Sequence, residues 1–159
     1  MNEYIISARK YRPSSFEQVV GQDHIINTLT NSIKNNKISH AYLFSGPKGV
    51  GKTSCARIFA NIINEKDKTS DTSFNVFELD AASNNSVEDI RSLIQQVRIP
   101  PQNGKYKTYI IDEVHMLSSS AFNAFLKTLE EPPKHAIFIL ATTEKNKIIP
   151  SILSRCQIF

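Results

Sequence analysis

The sequence predicts an α/β domain with a mainly parallel five-stranded sheet flanked by helices. Three observations carry this reading. Short apolar runs alternate with segments of helical periodicity, turn residues mark the junctions, and a glycine-rich loop follows the first apolar run. A strand followed by a helical crossover returns to pair in parallel, which puts helices on both faces and ligands at the carboxyl ends of the strands.

The strands are expected at "AYLFS" (41–45), "NVFEL" (75–79), "TYIID" (108–112), "AIFILA" (136–141) and "QIF" (157–159), each bounded by turn or polar residues. Between them, "QDHIINTLTNSIKNN" puts Ile25, Ile26, Leu29 and Ile33 on one helical face. "GKTSCARIFANII" does the same with Ala56, Phe59, Ala60 and Ile63. "NSVEDIRSLIQQVR" opens with Ser86 and two acids, a capped start, and repeats Ile90, Leu93, Ile94 and Val97 at core spacing. "SSSAFNAFLKTLEEPP" starts on serines, aligns Phe122, Phe125, Leu126 and Leu129, and must stop at Pro132 and Pro133. Polar "EKDKTSDTS" (65–73) and "IPPQNGKY" (99–106) read as surface connections.

With 159 residues, 40% hydrophobic and 21% charged, the chain fits one domain, 1–159, with its own core. No apolar run is long enough to span a membrane. The opening "MNEYIISARKYRP" mixes charges and lacks an apolar stretch with a cleavage signal, so a cytoplasmic location is expected. The only cysteines, Cys55 and Cys156, are far apart, which excludes a four-cysteine zinc site and favours packing as small apolar residues. A net charge of +4 permits contact with nucleic acid, but the lysines are spread thinly, as on an ordinary solvated surface.

Three of the five glycines fall in "SGPKGVGKTS". The spacing G-x-x-x-x-G-K-T, from Gly46 through Pro47, Lys48, Gly49, Val50, Gly51 and Lys52 to Thr53, is that of a loop whose backbone N–H groups converge on phosphates. Lys52 would reach the terminal phosphates. Thr53 would offer its hydroxyl to Mg²⁺, and Ser54 continues into the helix whose positive end faces the anion. The apolar strand "TYIID" then ends in Asp112 and Glu113. Asp112 is expected to hold Mg²⁺ and Glu113 to polarise an attacking water. "ILATTE" brings Thr142 and Thr143 to the same edge, where a hydroxyl can bond the γ-phosphate or the water. His115 has no second histidine or cysteine at ligand spacing, so packing or a loop hydrogen bond is favoured over metal binding.

Together these motifs resemble the AAA+ clamp-loader ATPases, in the form of the bacterial DNA polymerase III gamma/tau subunits. The likeness runs through "ARKYRPSSFEQVVGQDHI", "HAYLFSGPKGVGKTS", "ELDAAS", "YIIDEVHMLS", "AFNAFLKTLEEPP", "FILATTE" and "ILSRCQIF". It implies a P-loop AAA+ ATPase domain that uses ATP and Mg²⁺ and works with other clamp-loader subunits, a sliding clamp and primer-template DNA. It further implies an adenine-binding arm formed by Arg9, Tyr11, Pro13, Val19 and Val20, and a sensor role for Thr143. Arg155, expected at the end of a strand, becomes an arginine finger for a neighbouring subunit. "AASNNSVED", with Asn84, Asn85 and Ser86, and also Lys127, become candidates for DNA contact.

Two departures stand out. Members of this group commonly carry a four-cysteine zinc module after the P-loop helix, where this chain has "INEKDKTSDTSF"; no zinc is expected. The chain also ends just after the S-R-C motif, as a fragment lacking the helical lid and collar would, and weak activity of the isolated chain is expected. Alternatives are a replication factor C-like small subunit, a structural subunit supplying mainly an arginine finger in trans, and a small-molecule kinase. Intact Lys52, Thr53, Asp112 and Glu113 speak against the structural subunit, and Glu113 with a sensor-like threonine favours hydrolysis over transfer to an acceptor.

Overall fold

Alternating apolar strands and amphipathic helices can hide their apolar faces only by stacking in layers, and the chain does so. The structure, a computed structural model, describes residues 23–47, 51–64, 75–102 and 104–159. Within them the order is α1 (Asp23–Lys34), β1 (Ala41–Ser45), α2 (Lys52–Asn64), β2 (Val76–Asp80), α3 (Val87–Val97), β3 (Lys107–Asp112), α4 (Ser119–Glu130), β4 (Ala136–Thr142), α5 (Pro150–Leu153) and β5 (Gln157–Ile158). Single 3₁₀ turns occupy Val114–Met116 and Lys145–Lys147. The connection expected at 65–73 lies outside the described residues.

The described strands form one sheet of order β2-β3-β4-β1-β5, with every neighbouring pair parallel. Side chains alternate between its two faces. Ala41, Leu43, Tyr109, Ile111, Phe138 and Leu140 join the core beneath α3, α4 and α5. Tyr42, Phe44, Ile110, Ile137 and Ile139 join the one beneath α1 and α2. All seven residues of β4 are buried, as a central strand covered on both faces requires. Phe138 anchors one face, edge-on to Phe125 at 5.2 Å and stacked with Tyr109 at 5.7 Å. On the other face Tyr42 meets Phe59 edge-on at 5.0 Å.

The helix starts follow the capping residues. Ser86 Oγ accepts the Asp89 N–H while the Asp89 carboxylate accepts the Ser86 N–H, a reciprocal cap on α3. Ser118 Oγ accepts the Ala121 N–H at the head of α4. Helix α4 ends at Glu130, ahead of the two prolines.

Strand edges differ from expectation by one residue where polar groups find partners. β3 begins at Lys107, which is 8% exposed, because its Nζ reaches the carbonyls of Gln96 and Ile99, each at 3.0 Å, at the end of α3. Burial holds the Lys107 pKa below its ordinary value. β2 shifts to Val76–Asp80, since Asp80 pairs with Asp112. The short α5 was not expected; Pro150 opens it at a position where a missing N–H costs nothing. Cys55 is buried and Cys156 half-buried against the core, and burial raises both thiols, Cys156 to about 11.

The core makes a direct stability prediction. Phe138→Ala should cost about 3–5 kcal/mol, since Phe138 is fully buried between two aromatic rings. Ile99→Ala, at a position 62% exposed, should stay within about 0.5 kcal/mol. Urea unfolding curves of both variants check this, and equal midpoints would contradict the packing described.

Candidate functional site

The glycine loop begins where β1 runs out of strand partners. Ser45 donates its N–H to the Phe159 carbonyl at 3.1 Å, and Gly46 donates to the Thr142 carbonyl at 3.2 Å. Gly46 then has φ 154° and Gly51, just before α2, has φ 86°, values a Cβ would oppose. Lys52 opens α2, and its Nζ donates to the carbonyls of Gly46 at 2.7 Å and Pro47 at 2.8 Å. Ser54 lies in the first turn of α2. Lys48, Gly49 and Val50 lie outside the described residues, as do Arg9, Tyr11, Pro13, Val19 and Val20.

Two strands away in the sheet order, β3 delivers the acids. Thr53 Oγ1 donates to Asp112 Oδ2 at 3.4 Å, so the expected metal-holding pair is adjacent. Asp112 Oδ1 accepts the Glu113 N–H at 2.9 Å. Glu113 itself is left-handed, φ 52° and ψ 45°, a conformation costing a non-glycine residue about 1–3 kcal/mol. The turn carries its carboxylate to the end of β4, where Thr143 Oγ1 donates to Glu113 Oε2 at 3.2 Å. His115 joins this group through Thr142 Oγ1 at 2.8 Å, with Nε2 3.4 Å from Glu113 Oε2. Packing or a loop hydrogen bond was expected of His115; its ring is buried and meets a strand-end hydroxyl instead, and its carboxylate neighbour was not anticipated.

One hydroxyl and one carboxylate suit a hard ion that keeps several waters, as Mg²⁺ does. Among the described residues no group of three or more His, Cys, Asp and Glu side chains is gathered for a metal. Beside the loop lies a pocket of about 180 Å³ lined in part by Ile25, Phe44, Pro47, Gly51, Lys52 and Cys55. Sequence reasoning assigned Ile25 to a helix face, Cys55 to packing and Phe44 to a strand; only the fold turns them toward the loop. It also passed over Arg57 of α2, which forms a two-pronged ion pair with Glu78 of β2, one prong 2.7 Å long. That hydrogen bond first, and the charges of Glu78 and Asp112 next, raise the arginine's pKa.

Arg155 does not share this edge. It occupies the turn between α5 and β5, so it precedes a strand rather than ending one. Gln157 pairs with Tyr42 near the start of β1, which sets Arg155 at the amino edge of the sheet, opposite the glycine loop. Its guanidinium contacts Glu130 Oε1 at 3.2 Å and the Ser151 carbonyl at 3.3 Å. In the "AASNNSVED" loop, Ser86 commits its hydroxyl to Asp89, and Asn84 donates to the Asp80 carbonyl at 3.1 Å. Lys127 is exposed on α4. No helix among the described residues is long and apolar enough to cross a membrane.

Comparison with known proteins identifies the family and the fold. The profile of the family described as "DNA polymerase III, delta subunit" matches residues 21–159. DNA polymerase III subunit tau of Bacillus subtilis is 54% identical over 95% of this chain and 30% of its own length. The tau subunit of Escherichia coli is 47% identical over 98% of this chain and 27% of its own. The chain thus spans under a third of these relatives. A DNA polymerase III gamma subunit-related protein of Thermotoga maritima has the same fold, with TM-score 0.68 and 23% identity over 82% of this chain and 44% of that one. So does the Thermotoga maritima RuvB Holliday junction branch migration motor, at 0.69 and 21% over 93% and 47%. The chain therefore belongs to the DNA polymerase III, delta subunit, family, with an AAA+ fold and bacterial tau and gamma subunits among its relatives.

Proposed function

We propose that this chain is the ATPase domain of a clamp-loader subunit, which uses ATP binding and hydrolysis to load a sliding clamp on primer-template DNA alongside other clamp-loader subunits. One observation carries the reading: Lys52, Thr53, Asp112, Glu113 and Thr143 meet at one sheet edge, with Thr53 hydrogen-bonded to Asp112 and Thr143 to Glu113. The tau and gamma relatives support it at the level of family.

In this mechanism the loop N–H groups and the Lys52 ammonium bind the phosphates. The apolar wall of Ile25, Phe44 and Cys55 receives the less polar part of the nucleotide, with Arg9, Tyr11, Pro13, Val19 and Val20 around the base. Thr53 and Asp112 would hold Mg²⁺, which supplies charge neutralisation of the phosphates when bound. Glu113 takes a proton from the attacking water, and Thr143 fixes the carboxylate and senses the γ-phosphate. Arg155 acts on a neighbour's site, since its own loop lies at the far edge of the sheet. Its exposed pairing with Glu130, worth about 0–1 kcal/mol, leaves it easy to release.

A second reading is a structural subunit that supplies mainly Arg155. Nucleotide titration separates them. Under the ATPase reading, Lys52→Ala should weaken Mg²⁺-ATP binding by roughly 10–100-fold, the worth of a charge-assisted bond. Glu113→Gln should leave affinity near wild type while lowering turnover by about 10²–10⁴-fold. Equal loss of affinity in both variants would reject this division of labour, and wild-type chain that neither binds nor hydrolyses ATP in the full assembly would select the structural reading.

Mixed assemblies test the arginine. A subunit carrying Arg155→Ala but normal Lys52 should hydrolyse ATP beside a neighbour with intact Arg155, and should depress the adjacent site by roughly 10³–10⁵-fold. Arg155→Lys should fail likewise, because lysine lacks the planar fork of donors. The isolated chain should turn over slowly for the same reason. Activity that follows the arginine on the chain bearing the active P-loop would overturn the trans assignment.

A further inference from the structure

The Glu113 carboxylate has a second neighbour besides Thr143. His115 stands in the 3₁₀ turn just after the left-handed Glu113, and its side chain is 7% exposed. Its ring spans the space between β4 and the carboxylate, with Nδ1 2.8 Å from Thr142 Oγ1 and Nε2 3.4 Å from Glu113 Oε2. Thr142 is fully buried, and its hydroxyl oxygen already accepts the Glu144 N–H at 2.9 Å. The hydroxyl also has one proton to give, and a neutral His115 ring with a free lone pair on Nδ1 is placed to take it. A neutral ring that accepts at Nδ1 carries its proton on Nε2, the nitrogen facing Glu113.

Both contacts to the carboxylate therefore fall on Oε2, from Thr143 of one element and His115 of another. Two contacts on one oxygen, from different elements, limit rotation of the carboxylate. Oε1 has neither of these contacts.

We propose that His115 is a positioning residue for Glu113: Thr142 sets the tautomer of the ring, and the ring with Thr143 holds the carboxylate so that Oε1 meets the water. This rests on the reading of Glu113 as the group that activates water. His115 itself touches neither nucleotide nor water in this scheme, so its removal acts on turnover and not on binding.

Two substitutions separate the ring's hydrogen bond to Thr142 from its contact with Glu113. The side-chain amide nitrogen of His115→Gln stands near Nε2 and can still donate to Glu113; the carbonyl oxygen of His115→Asn stands near Nδ1 and keeps only Thr142. In the full-length protein assembled with its partner subunits, clamp and primed DNA, His115→Gln should hold kcat within about threefold of wild type. His115→Asn should lower it by roughly 10–100-fold, part of what a positioned base contributes. Both should keep KM and the Kd for Mg²⁺-ATP, and the Asn loss should vanish in a Glu113→Gln background, as coupled residues require. Nitrogen chemical shifts of His115 in the full-length wild type at pH 8 should report the Nε2-protonated ring, whether or not the variants fold.

The reverse order of the two variants, equal losses in both, or an Nδ1-protonated ring would each overturn the proposal and leave His115 a packing residue. Wild-type assembly without any ATP turnover would instead bring down the ATPase reading, and this inference with it. An active assembly in which His115→Asn matches wild type would remove the inference alone.

Discussion

The parallel pairing of β1 with β4 is the constraint on which the site depends. The register sets Ser45 opposite Thr142, and the ladder continues one step beyond the strand, where Gly46 donates its N–H to the Thr142 carbonyl. A shift of one residue would turn Tyr42 and Phe44 to the wrong core and slide the glycine loop away from the threonines. The burial of all seven β4 residues resists that slip, because either face exposed would lose apolar burial. Packing energy thus becomes positional accuracy at the edge of the sheet.

Polar groups are managed differently at the two edges. At the amino edge they serve stability: Lys107 satisfies the Gln96 and Ile99 carbonyls, and His135 Nε2 reaches the Val97 carbonyl at 2.7 Å, so the end of α3 leaves few bare acceptors. At the carboxyl edge the same kinds of contact hold the groups of the candidate site. Lys52 bridges two loop carbonyls, and Glu113 adopts a left-handed backbone that only local bonds repay, including its own N–H to Asp112. Strain stored at one residue beside a rigid strand is what aims its side chain across the site.

Much of the fold was legible because its signals are local. The cap residues Ser86 and Ser118, the stop at Pro132 and the period-two apolar runs each act within a few positions, so five strands and the long helices emerged within a residue or two of where they lie. Lys107 was left out of its strand because a charged side chain reads as exposed. Only the fold brings the α3 carbonyls within its reach. Arg155 was assigned to a strand end from its apolar neighbours, whereas the turn after α5 depends on Pro150 and on how Ile152 packs into the core.

The sequence by itself determined the chemistry available: a glycine spacing suited to a phosphate-binding turn, a lysine and threonine after it, paired acids closing an apolar strand, and threonines closing another. These are properties of residue type and short spacing, and they need no partner. Tertiary structure alone decided which of those groups touch. Thr53 and Asp112 are 59 positions apart and Glu113 and Thr143 are 30 apart, so their contacts exist only once the strand order interleaves β3, β4 and β1. The same holds for the ring of His115 between Thr142 and Glu113 and for the separation of Arg155 from its own loop. Side-chain reach is short compared with the chain between these residues, and only the packed sheet fixes which ends meet.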